Sequence, residues 1–234
     1  MSNARYGEFS HKLQDILSLK RLPVALKLIR TNEKPEGFKE PEKPIRYCIS
    51  VYKASEGEML ILPKEKHACL TGANVLGLTE LPSNIRSGEA PYRHGLFKSI
   101  DVARRAMSEI PRVNIPAVTA TLVAPLERMP LNPDVVLLIC NPKQAMLIAN
   151  AFVFEQGGPT VRAGFTGAQA LCGYTTAVPY ISKQPNFSLG CYGCRLSAKI
   201  ADEDMYCGIP VEMMGSFIQN LMGLEGAVRK IFAQ

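Results

Sequence analysis

Pro133–Asp134–Val135–Val136–Leu137–Leu138–Ile139–Cys140–Asn141–Pro142–Lys143–Gln144 is the stretch whose reading decides the fold. Its apolar run is too short for an independent helix and reads as a buried strand. Asn141 can accept a hydrogen bond from an early helix amide, Pro142 suits the first helical position, and Gln144 can complete a capping box. Met146, Ala149, Asn150 and Val153 then recur at three- and four-residue steps, with Gly157–Gly158 as the expected stop. A strand, a tight turn and a helix in that order imply an α/β architecture.

Outward from this unit, Phe9, Leu13, Ile16 and Leu17 predict an amphipathic helix over Tyr6–Leu19, and Val24–Ile29 reads as a strand after Pro23. Glu33–Pro44, with three prolines, is expected to be an exposed connector. Strands are predicted at Met59–Leu62, Val118–Val123 and Asn186–Leu189, and helices over Ile100–Ile110 and from Leu196 toward Ile200. A last helix is expected to start at Pro210, packing Met213, Met214, Phe217, Ile218, Leu221 and Met222 into the core. No repeat and no domain-sized linker interrupts the chain. The expected architecture is one α/β domain over residues 1–234, with a mixed sheet and flanking helices.

A net charge of +6 can help recruit an anionic ligand, but it is too modest to imply nucleic acid, and the basic residues alternate with apolar ones. No apolar run reaches the roughly 18–20 residues that cross a bilayer. Val135–Cys140 and Ala145–Phe154 are split by Asn141–Pro142–Lys143, so membrane insertion is not expected. Met1–Tyr6 lacks the apolar region of an export signal, which makes a cytoplasmic protein the default expectation.

The chemical signal is Gly190–Cys191–Tyr192–Gly193–Cys194–Arg195. Two thiols three residues apart can chelate a metal, bind a cluster iron or form a reversible disulfide. Cys48, Cys69, Cys140, Cys172 and Cys207 make the total seven. An odd number in a chain without an export signal argues against a disulfide framework. Cys140, at the end of an apolar run, is expected to be an inert core residue. Two segments rich in small residues, Thr71–Gly77 and Arg162–Gly173, can let backbone approach a small anionic cofactor. Gly72 and Gly167 would make room there, and Arg162 or Arg195 would neutralise charge; tight turns and close packing explain the same glycines. His11, His67 and His94 come with no GxSxG or HExxH pattern, so hydrolase chemistry has no support. Asp202–Glu203–Asp204 reads as a solvated loop or helix start, and Tyr92–Arg93–His94 as a surface turn.

Taken in order, several motifs resemble domain of unknown function family 169. They are Pro23–Val24–Ala25, Cys48, Ala68–Cys69 with Gly72, Leu76–Gly77, Pro133–Leu137, Gln144 with Met146, Gly167 through Cys172, and Gly190–Cys191 with Gly193 and Arg195. The resemblance implies a conserved bacterial or archaeal domain and supplies no reaction. It also implies that Cys48, Cys69, Cys172 and Cys191 occupy shared cysteine positions, whereas a small residue often stands at the place of Cys194.

Three readings of the cysteines follow. In the first, Cys191 and Cys194 join Cys48 and Cys69 around an iron–sulfur cluster or zinc, with Cys172 in reserve and His67 an alternative zinc donor. In the second, the protein is a metal-free ligand-binding or sensory domain. In the third, it is a thiol oxidoreductase with Cys191 attacking and Cys194 resolving. A cysteine-rich interior with no metal accounts for the same residues.

Overall fold

The computed structural model describes residues 2–31, 34–114, 118–155, 157, 161 and 163–232. Six strands form one sheet: β1 (Val24–Ile29), β2 (Leu60–Pro63), β3 (Ala120–Pro125), β4 (Val135–Cys140), β5 (Asn186–Ser188) and β6 (Met205–Pro210). Their spatial order is β2-β3-β1-β4-β6-β5. Every ladder between named strands is antiparallel, and among the described residues parallel pairing is confined to three isolated bridges. The domain is therefore mixed α/β, with the sheet as its middle layer.

Period-2 alternation divides the sheet residues between two apolar clusters. Ala25, Leu122, Val136, Leu138, Cys140, Cys207 and Ile209 face α1 (Ser2–Leu17), α7 (Pro142–Val153) and α10 (Met214–Phe232). Leu26, Val123, Leu137, Ile139 and Tyr206 face the other way. That second face is covered by α2 (Tyr47–Ala54), α3 (Leu70–Val75), α6 (Ile100–Glu109), a π-helix (Ala170–Ala177) and α9 (Tyr192–Ser197). Short helices α4 (Ser83–Arg86), α5 (Glu89–Arg93) and α8 (Val178–Ser182) complete the connections. The candidate site lies on the second face.

The β4–α7 unit forms as its sequence requires. Asn141 Oδ1 accepts from the Gln144 amide at 2.9 Å, and Gln144 Oε1 accepts from the Asn141 amide at 2.8 Å. Gln144 also donates to the carbonyls of Leu17 and Ser18, tying the cap to the end of α1. Asp134 fastens β4 to β1 where their ladder stops: its carboxylate accepts from the Leu28 amide and from Lys27 Nζ, each at 2.8 Å.

Most element ends shift by one to four residues from the sequence expectation, and three segments depart from it in kind. Residues 34–44 are not simply an exposed connector: Phe38 is buried, and Lys39 exchanges 3.0 Å hydrogen bonds with the backbone of Met59 and Ile61. Burying Phe38 outweighs the local loop composition. The helix expected at Leu196 instead starts at Tyr192 and takes in Cys194. Pro210 ends strand β6, and α10 begins only at Met214, after a 3₁₀ turn at Val211–Met213. Its face is buried as expected at Phe217, Ile218 and Leu221, but Met222 is exposed. Helix α7 ends at Val153; Gly158, one of the two expected stop residues, lies outside the described residues.

His67 is enclosed beside the sheet, with Nε2 3.2 Å from the Leu62 carbonyl and 3.3 Å from Thr121 Oγ1. Burial lowers its pKa from 6.5 to about 4, against weaker opposing effects of the Leu62 carbonyl and Glu65. The unfolded chain therefore binds this proton first as pH falls. Stability from His67 is intact above about pH 6.5 and lost progressively toward pH 4, a drop of roughly 3 kcal/mol. Urea unfolding at pH 7 and pH 4.5 should show this loss in the wild type and a clearly smaller one in His67→Gln.

Candidate functional site

The site is built around the π-helix. Such i→i+5 geometry is rare and costs hydrogen-bond quality, so it needs local support. Thr175 and Thr176 supply part of it by donating their hydroxyls to the Leu171 carbonyl at 3.0 and 2.9 Å. Tyr47 Oη lies 3.1 Å from Thr176 Oγ1 and links the π-helix to α2. Beneath it, a Cβ on Gly208 of β6 would lie 1.9 Å from the Thr175 carbonyl oxygen. Only glycine lets the two backbones approach so closely. Gln169, just before the π-helix, is held at φ 49° in the left-handed region, a conformation that costs energy for a residue with a side chain.

This support places Cys172 on the wall of a cleft of about 670 Å³. Cys69 faces the same space from the start of α3, where its sulfur accepts from the Gly72 amide at 3.4 Å. The Cys69 and Cys172 sulfurs lie 3.5 and 3.8 Å from the point a Cβ on Gly72 would occupy, so they flank that glycine. Cys191 and Cys194, at the start and within α9, bring their sulfurs to 3.6 Å from each other. Cys48, on α2, donates to the Gly193 carbonyl between them at 3.5 Å. Gly190 turns the chain into this motif at φ 78°, with its Cα pressed toward Cys194 and Tyr206.

Five cysteines from separate parts of the chain thus line one cleft, as do Gly72 and Gly167. Other expectations fare differently. Arg195 does not line the cleft: its guanidinium donates to the carbonyls of Leu189, Ala201, Asp202 and Asp204, clamping the loop from α9 to β6. Arg162 lies outside the described residues. His67, the alternative zinc donor, is not among the residues lining the cleft; its Nε2 meets the Leu62 carbonyl and Thr121 Oγ1. Cys140 and Cys207 are core residues on the opposite sheet face. Sequence reasoning missed Arg46, which lines the cleft one residue before α2, and Gln169, whose Oε1 is buried without a hydrogen-bond partner. His94, read as part of a surface turn, also lines it. Arg46 stands two residues before a candidate cysteine, but nothing in that spacing separates it from Arg195.

Three thiols of this cleft, Cys172, Cys191 and Cys194, are shifted toward the protonated form. The Cys191 thiol is pushed up by its hydrogen bond to Cys194 and by burial. For Cys194 the Cys191 contact favours the thiolate, but the contact with Cys48 and burial prevail and push it up to about 12. Burial and the neighbouring Cys69 raise Cys172 well above the usual range. This is the reverse of the depressed pKa that marks an attacking thiolate. Among the described residues, no three His, Cys, Asp or Glu side chains are arranged to hold a metal ion in this conformation. No helix among them is long and apolar enough to cross a membrane.

The sequence pattern of domain of unknown function family 169, described as uncharacterised ArCR, matches residues 12–220. The chain belongs to this family. It is also similar to the uncharacterized protein MJ0308 of Methanocaldococcus jannaschii, with 31% identity over 215 residues covering 91% of both chains. No solved structure matches.

The Gly208 contact can be tested directly. Gly208→Ala forces either β6 or the π-helix to move, and should destabilise the fold by about 2–4 kcal/mol in urea unfolding. Cys172, buried in the wild type, should become faster to label with a neutral thiol reagent under native conditions.

Proposed function

We propose that this cleft binds a thiophilic metal centre, zinc or an iron–sulfur cluster, with Cys191 and Cys194 as the first ligands. The observation that carries the reading is their 3.6 Å sulfur separation at the wall of an open cleft. Two thiolates on one tetrahedral zinc, with Zn–S near 2.3 Å, are about 3.8 Å apart. Cys48 is the next candidate donor, since it lies against Cys194 and the Gly193 carbonyl. Cys69 and Cys172 supply the opposing side of the cleft. A metal ion would displace the thiol protons on binding, so raised thiol pKa values weaken binding at low pH without forbidding it.

The cleft is much larger than a single ion requires, and its volume suits a small organic ligand. A centre held by only part of the cysteine set keeps positions open for such a ligand, which fits redox or cofactor metabolism better than a closed structural site. The raised pKa of Cys191 disfavours the competing thiol-oxidoreductase reading, because thiolate attack needs the opposite shift.

Anaerobic purification followed by zinc, iron and sulfide analysis tests the assignment. Wild-type protein should hold about one zinc, or one cluster, per chain after reconstitution. Cys191→Ser/Cys194→Ser should lose it while staying folded, and Cys140→Ser should keep it. Folded wild-type protein that takes up neither metal nor sulfide would falsify the reading.

A further inference from the structure

The side chains of this cleft carry a charge imbalance that the cysteines do not explain. Among the described residues no Asp or Glu lines the cleft, whereas Arg46 does. Among the described residues the Arg46 guanidinium has no ion pair and no hydrogen bond. It is held beside the CxxC motif: Nη1 lies 3.2 Å from the position a Cβ on Gly193 would take, and Cys191 Sγ lies 3.7 Å from that same point. Thiol and guanidinium therefore stand on either side of one spot. A side chain at Gly193 would fill it.

The surrounding wall is apolar and open. Leu96, Tyr192 and Leu196 line the cleft while remaining exposed, Leu196 to 78%. Solvent-facing apolar groups gathered at the edge of a cavity are a feature of ligand and partner sites. Gln169 adds a buried amide oxygen without a partner among the described residues, on a backbone held in the left-handed region.

We propose that the cleft binds a small amphipathic organic anion, with its carboxylate or phosphate head on Arg46 and its apolar body along Leu96, Tyr192 and Leu196. Arg46 presents a planar fork of donors that suits either head group. The absence of carboxylates from the wall leaves its charge for the ligand to neutralise. The head lies beside Cys191, so a bound anion sits where a metal on the thiol pair can reach it. The proposal rests on the reading of this cleft as the binding site, but not on a metal being present.

The experiment uses metal-free, reduced full-length protein, so a failed metal assignment leaves it intact. The probe is 1-anilinonaphthalene-8-sulfonate, an apolar body with one anionic head, followed by fluorescence at increasing concentration. Wild-type protein should bind it saturably, Arg46→Gln roughly tenfold more weakly, and Arg46→Lys in between. Circular dichroism unchanged from the wild type excludes unfolding of the variants. A second readout compares alkylation of Cys191 by iodoacetate and by iodoacetamide. In both reactions the thiolate displaces iodide from carbon, and the thiol proton passes to buffer. The iodoacetate-to-iodoacetamide rate ratio should be several-fold higher in the wild type than in Arg46→Gln. Equal probe affinity and an equal rate ratio in wild type and Arg46→Gln overturn the proposal, as does a wild type that neither binds the probe nor reacts with either reagent at Cys191.

Discussion

The contact between the Thr175 carbonyl and the bare Cα of Gly208 is the constraint on which the cleft depends. It lets an eight-residue π-helix lie directly on a strand of the sheet. A side chain at that position would push the two layers apart and carry Cys172 with them. The π-helix also takes the Tyr47–Thr176 hydrogen bond, which connects it to the helix bearing Cys48. One close approach between backbones thus positions sulfur atoms from residues more than a hundred positions apart in the chain.

The sheet separates two kinds of cysteine. Cys140 and Cys207 are surrounded by the apolar cluster under α1, α7 and α10, and burial pushes Cys140 up to about 12. They are buried and behave as small apolar side chains. Cys48, Cys172 and Cys194 are also buried, but their cluster opens into the cleft. The residue type is the same on both faces. What differs is whether an open volume lies beside it.

Much of the fold was legible because its determinants are local. The capping box at Asn141 and Gln144 lies within four residues of sequence, and it ends β4 and starts α7 where expected. β1 and α6 likewise follow from apolar pattern and flanking prolines. β6 was not legible, because Gly208 and Pro210 contradict ordinary strand preference. The reason for Gly208 is the π-helix above it, and no window around Met205–Pro210 contains that information. For the site, the CxxC could be read directly, and the resemblance to a family pointed to the distant cysteines. The choice of arginine could not be read. Arg195 sits next to the motif yet spends its donors on four carbonyls, while Arg46 reaches it from another helix start.

The raised Cys172, Cys191 and Cys194 thiols and an Arg46 without a partner among the described residues are two consequences of one arrangement. Burying sulfur between a helix and a sheet removes water, which disfavours thiolate at the CxxC pair, whose sulfurs lie 3.6 Å apart. The same low-dielectric wall strengthens the field of any charge at its edge. A cation there with no carboxylate partner attracts an anion from solution, and a thiophilic metal at the pair would attract one further. Acidic residues on the wall would cancel both effects. Among the described residues none lines the wall, so the field that Arg46 sets there is not cancelled locally.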